Sequence, residues 1–117
     1  MHDSLNVFEL ALLFALAENC PNLYSHLDKL SVIERECTGV GQYIFLNYNN
    51  DSDLLMISED ILSIDKLIEI RDLELILGFV GNVNEGKLSN IEIFVNGSDD
   101  WNCDYTGFGL REIRLSP

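Results

Sequence analysis

Basic residues are scarce in this chain: 7 Lys plus Arg stand against 20 Asp plus Glu in 117 residues, a formal net charge of −13. A surface so poor in cations repels polyphosphate backbones and anionic bilayers, which argues against nucleic acid and membrane partners. Its field draws cationic proteins from about a Debye length, ~8–10 Å in physiological salt. Cysteine is also sparse. Cys20, Cys37 and Cys103 are an odd number without a C-x-x-C pair, which suggests neither a disulfide framework nor a zinc site, and points to reduced thiols in a cytoplasmic protein. Long apolar runs are missing too. The nearest, Val7 to Ala17, follows Asp3 where a signal peptide would carry basic residues, is interrupted by Glu9, and falls short of the ~20 residues that cross a bilayer. Histidine is limited to His2 and His26, a thin supply for acid–base chemistry.

What is present suits a single globular domain spanning residues 1–117, since 47% hydrophobic content at this length is enough for a core. Asp3 or Ser4 is positioned to cap a helix running to about Asn19, with Leu5, Phe8, Leu12 and Leu16 on one stripe, widened by Ala11, Phe14 and Ala15. Pro21 suits the first turn of a second short helix, capped by Cys20 or Asn19, with Leu23, Leu27 and Leu30 inward. From Ser31 the period shifts to two. Val32–Cys37 reads as a strand, Thr38-Gly39-Val40-Gly41 as a bend or bulge, and Gln42–Tyr48 as an aromatic, β-branched strand. That glycine stretch lacks the Lys and the following helix of a phosphate-binding loop.

Asn49–Asp53 is a polar turn, and the Leu54–Ile57 and Ile61–Ile70 stretches are short strands or helical turns. Leu73–Val83 and Lys87–Val95 flank Asn84-Glu85-Gly86, which places Gly where a β-hairpin needs positive φ. In the second arm Ile91, Ile93 and Val95 alternate with Glu92, Phe94 and Asn96, one face buried and one wet. A turn over residues 97–100, Trp101, and a last strand over Leu110–Leu115 complete the chain. The expected fold is α+β, two N-terminal helices packed on a mainly antiparallel β-sheet.

The acids concentrate in residues 51–104, with 13 acidic against 3 basic residues. Asp99, Asp100 and Asp104 surround Trp101 on a loop, a mixture of carboxylates and one large aromatic that suits a partner-binding hot spot. The plainer alternative has Trp101 closing the core among solvated turn formers. Asp51 and Asp53, with Glu59 and Asp60, form a second candidate, for which an ordinary polar loop is the favoured reading. Neither cluster has the spacing of a twelve-residue calcium loop, so no metal is assigned. A Cys37 or Cys103 nucleophile paired with His26 lacks any local signature, so the chain is read as a non-enzyme needing no cofactor.

Several of these residues fall in a recognisable order. Arg35, Thr38, Gly39 and Gly41 before an aromatic strand, then Leu77-Gly78-Phe79, then Gly86, Leu88 and Glu92 in a hairpin arm, then Trp101, resemble a family of small acidic bacterial immunity proteins encoded beside polymorphic toxins, including those of contact-dependent growth inhibition. The resemblance covers residues 5–101. Cys37 and Gln42 depart from the pattern, as does the stretch beyond Trp101. It implies a cytoplasmic protein that binds and neutralises one cognate toxin domain, a basic nuclease being the expected partner. The alternatives are an acidic adaptor, a nucleic-acid mimic, or a small enzyme.

Overall fold

The structure, a computed structural model, describes residues 3–113, the side chain of Asp72 excepted. His2 and the last residues of the expected C-terminal strand, Arg114 and Leu115, lie outside the described residues. The first helix, α1 (Val7–Asn19), starts three residues later than an Asp3 cap implies and two later than a Ser4 cap. Asp3 is held elsewhere: its backbone exchanges hydrogen bonds with Val32 at 2.9 and 2.7 Å, so it is extended and paired with a strand. Asn6 caps instead. Its Oδ1 accepts from the Glu9 N–H at 2.8 Å, and Glu9 Oε1 accepts from the Asn6 N–H at 2.9 Å, a reciprocal capping box. The helix stops where Cys20 precedes Pro21, because proline disfavours helical geometry in the residue before it.

Phe8, Leu12 and Leu16 are buried as the periodicity requires, but Phe14 is 51% exposed and Leu13 takes its place in the core. Phe14 packs instead beside the exposed Tyr24, ring centroids 6.3 Å apart. The second helix is a 3-10 segment, Pro21–Lys29, with no side-chain cap.

Among the described residues seven strands follow: β1 (Leu30–Cys37), β2 (Gly41–Tyr48), β3 (Ile61–Leu62), β4 (Lys66–Ile70), β5 (Leu75–Asn84), β6 (Lys87–Val95) and β7 (Phe108–Glu112). They form one antiparallel sheet in the order β1-β2-β6-β5-β4-β7, with β3 pairing β5 beside β4. The fold is α+β. Leu54–Ile57 is neither strand nor helix, and is tied down by an Ile57 N–H to Gly86 carbonyl bond of 3.0 Å. The hairpin arm expected from Leu73 begins at Leu75, because Arg71–Leu73 wind into a 3-10 turn ended by Glu74 in the left-handed region. The hairpin itself is present. Glu85 and Gly86 have φ of 51° and 81°, the paired positive angles of a tight two-residue turn. At Gly41 a Cβ would collide with the Ile93 carbonyl, so only glycine lets β2 approach β6 there.

One cluster of buried apolar side chains joins the elements. Phe8, Leu12, Leu13 and Leu16 of α1 share it with Ile44, Leu62, Ile68, Leu77, Leu88 and Ile91 from the strands.

Candidate partner-binding surfaces

Trp101 is corrected first. It is 2% exposed and belongs to the core, where its indole Nε1 donates to the Asp104 carbonyl at 2.8 Å and its N–H to the Gly39 carbonyl at 2.8 Å. A residue so placed braces the loop and exposes almost none of its surface to a partner. Asp99, Asp100 and Asp104 around it are exposed, and Asp99 and Asp100 line an open groove with Glu74 and Asn102. The Thr106 N–H donates to Asp104 Oδ1 at 2.9 Å, and the bonds from Thr106 hold this carboxyl below the usual range. Asp51 and Asp53 are exposed as well, but Asp51 is paired with Lys87 at 3.3 Å. The two clusters do not come together. One follows the C-terminal end of β6 and the other lies against its N-terminal residue, so a nine-residue strand of about 27 Å separates them.

The expectation of reduced thiols is overturned at two of the three cysteines. Cys37, at the end of β1, is disulfide-bonded to Cys103 across a sequence separation of 66 residues, their Cα atoms 6.1 Å apart. Sixty-odd residues of intervening chain hide this proximity, because it depends on the β1–β2 turn and the 96–107 loop reaching the same end of the sheet. The thiol argument for a reducing compartment therefore falls away. The bridge also leaves neither sulfur free to pair with His26 as a nucleophile. Cys20 remains a thiol, buried, with Sγ 3.6 Å from Glu59 Oε2; burial and then the Glu59 charge push it up, which keeps it protonated and weakly reactive.

His26 is 0% exposed and fully engaged. The Leu88 N–H donates to the Tyr48 hydroxyl at 2.7 Å, whose proton then serves His26 Nδ1 at 2.7 Å, leaving Nε2–H to donate to the Leu55 carbonyl at 2.8 Å. This chain of bonds ties the 3-10 segment, β2, β6 and the 49–60 loop together. Burial pushes the Tyr48 hydroxyl up to about 12. A second polar node sits at the start of α1. Glu9, 1% exposed, receives Arg35 Nε at 2.6 Å and Nη2 at 2.9 Å, and Asn6 Nδ2 donates to the Tyr105 hydroxyl at 3.2 Å. The hydrogen bond with Glu9 raises the Arg35 guanidinium further, so Arg35 keeps its charge. Among the described residues no three His, Cys, Asp or Glu side chains gather to hold a metal ion, and no helix is long and apolar enough to cross a membrane.

The residues that sequence reasoning left unused lie on the face of the sheet opposite the buried cluster. Pairing sets them in rows: Glu36 beside Tyr43, Tyr43 beside Glu92, Glu92 beside Val80, and in the next row Glu34, Phe45, Asn90 and Asn82. The Tyr43 and Phe45 rings stack with centroids 5.9 Å apart and planes 14° apart. Phe94, 39% exposed, lies with its ring over Gly78, where a Cβ would strike it. The signal was there in the i, i+2 repeats Glu34/Glu36 and Tyr43/Phe45, but their alignment across strands depends on register.

These features define the class: an α+β domain with a seven-stranded antiparallel sheet and strongly acidic surface chemistry. No family model matches the chain, no curated protein matches its sequence, and no solved structure matches its fold.

Proposed function

We propose that this chain is an immunity protein: a non-enzymatic inhibitor that binds one cognate cationic toxin domain, a basic nuclease, and neutralises it in the bacterial cytoplasm. In this reading the N-terminal helices pack on one face of the sheet and give it a rigid backing. The observation that carries the proposal is the charge, −13 on 117 residues. A nuclease holds phosphates with Lys and Arg, and an inhibitor that sets carboxylates against those cations gains association rate from steering and selectivity from matched pairs. The resemblance to acidic immunity proteins over residues 5–101 supports the same reading.

The test is co-expression. The gene encoded beside this one is induced in a susceptible host with and without this chain, and the complex is recovered through a salt wash. Restored growth with a single stoichiometric basic partner is the expected result, with affinity on the order of −12 kcal/mol or tighter. Unprotected growth, or recovery of many unrelated basic proteins, overturns it in favour of an adaptor or a nucleic-acid mimic. The compartment has its own check, because a reducing cytoplasm keeps Cys37 and Cys103 as thiols. Alkylation under denaturing conditions of protein taken directly from cells should then label all three cysteines.

A further inference from the structure

We infer that the face of the sheet that no described element covers is the docking surface for the cationic partner, and that it is built to receive arginine side chains. The inference deepens the inhibitor reading and rests on it for the partner's identity, while the surface chemistry stands on its own. Gly81, on the buried side of β5, has Leu16 of α1 against it, with 3.2 Å from the site of an added Cβ to Leu16 Cδ1, and Arg35 of β1 reaches Glu9 of α1. The helices therefore occupy one face. The molecule measures 41 × 40 × 20 Å, a slab whose thickness is that of one sheet and one helical layer.

An antiparallel sheet tolerates one face in water, and such a face is normally polar. Here its middle is aromatic, and Tyr43 and Phe45 are each flanked by an acid in register. Tyr43 stands between Glu36 and Glu92, and Phe45 has Glu34 beside it. Glu36 and Glu92 are two strand spacings apart, about 10 Å, so their charges repel across the ring. No described Lys or Arg pairs with Glu34, Glu36 or Glu92: Lys29, Arg35, Lys66 and Lys87 are engaged by other acids, Arg111 is on β7 with Glu69, and Arg71 starts the 3-10 turn after β4, on the far side of β5 from these acids. Asn82 donates to Glu92 Oε1 at 3.3 Å, which orients that carboxylate without neutralising it.

A guanidinium meets both demands at once. Its plane stacks on an aromatic ring while its edge forks onto carboxylates, which a lysine ammonium cannot do together. Like charge opposes two other occupants, a second copy of this face and a nucleic acid.

The probe is a nona-arginine peptide at low salt, followed by amide NMR shifts in the wild-type chain and by titration of two triple variants. Glu34→Gln/Glu36→Gln/Glu92→Gln and Asp99→Asn/Asp100→Asn/Asp104→Asn remove equal charge at different places, so steering alone affects both alike. Shifts are expected on β1, β2 and β6, with affinity falling about tenfold in the sheet-face variant and less than about threefold in the loop variant. Tyr43→Leu, with charge unchanged, should weaken binding about threefold, and a nona-lysine peptide should bind more weakly than nona-arginine. Shifts confined to residues 51–60 or 97–107, equal losses in the two triple variants, or a dimer whose protected amides map to this face would each overturn the inference. Growth protection that fails while the peptide result holds removes the toxin and leaves the surface. Protection that holds while the peptide result fails moves the interface elsewhere.

Discussion

Tyr48 and Glu9 show how single residues hold distant elements. The Tyr48 hydroxyl joins the Leu88 N–H to His26, so Tyr48→Phe leaves a buried donor and a ring nitrogen unpaired and should cost about 1–3 kcal/mol by urea denaturation. Its ionisation adds a pH effect whose sign is determined. Burial raises the hydroxyl from 10.0 to about 12, so the folded state holds this proton more tightly than the unfolded chain. The contribution is complete below pH 10 and is lost as pH rises toward about 12. Thermal melts across this window should decline more steeply for wild type than for Tyr48→Phe, and matching slopes would exclude the linkage. Glu9→Ala removes the two-oxygen partner of the Arg35 guanidinium, leaving it Asp3 and the Ser4 carbonyl, and removes half of the capping box, for an expected loss of about 1–3 kcal/mol. A double-mutant cycle with Arg35→Met should recover part of it.

Among the elements, the 96–107 loop is the one held most conspicuously from outside itself. Trp101 anchors it in the core and Cys103 ties it to β1. With the cysteines 66 positions apart, the chain-entropy view assigns the crosslink about 4 kcal/mol, and Cys37 lies exposed to reductant. Cys37→Ser, or wild type in dithiothreitol, should therefore unfold at a lower urea concentration by a corresponding amount. The two conditions should agree, and a wild-type midpoint indifferent to reductant would mean that the bridge does not constrain the unfolded chain. Element boundaries that sequence patterns place wrongly have local causes of the same kind. The α1 start moved because Asp3 pairs with β1, and β5 starts late because Glu74 takes a left-handed conformation.

On the scale of the whole molecule, the net charge governs how it meets a partner. Association with a cationic partner should slow by about tenfold or more between 50 and 500 mM salt while dissociation changes little, a contrast that stopped-flow measurement resolves. Salt-independent association would argue that steering plays no part. Where the contacts form is a separate matter. The acids at residues 51–53 and 99–104 lie at opposite ends of β6, whereas Glu34, Glu36 and Glu92 share one face.

Much of this protein was legible in the chain alone. The apolar run of α1, the period-two arms around Glu85-Gly86, the alternation of Ile91 and Ile93 with Glu92, and the acidic balance all follow from neighbours two to four residues apart, which local geometry brings onto one face. Tertiary structure alone decided that Trp101 is core, that Cys37 meets Cys103, that Glu9 receives Arg35, and that Tyr43 stands between two carboxylates. These contacts link residues 26 to 66 positions apart, or depend on which strands are neighbours and in what register. Register is set by the burial of all the strands together, so no local pattern carries it.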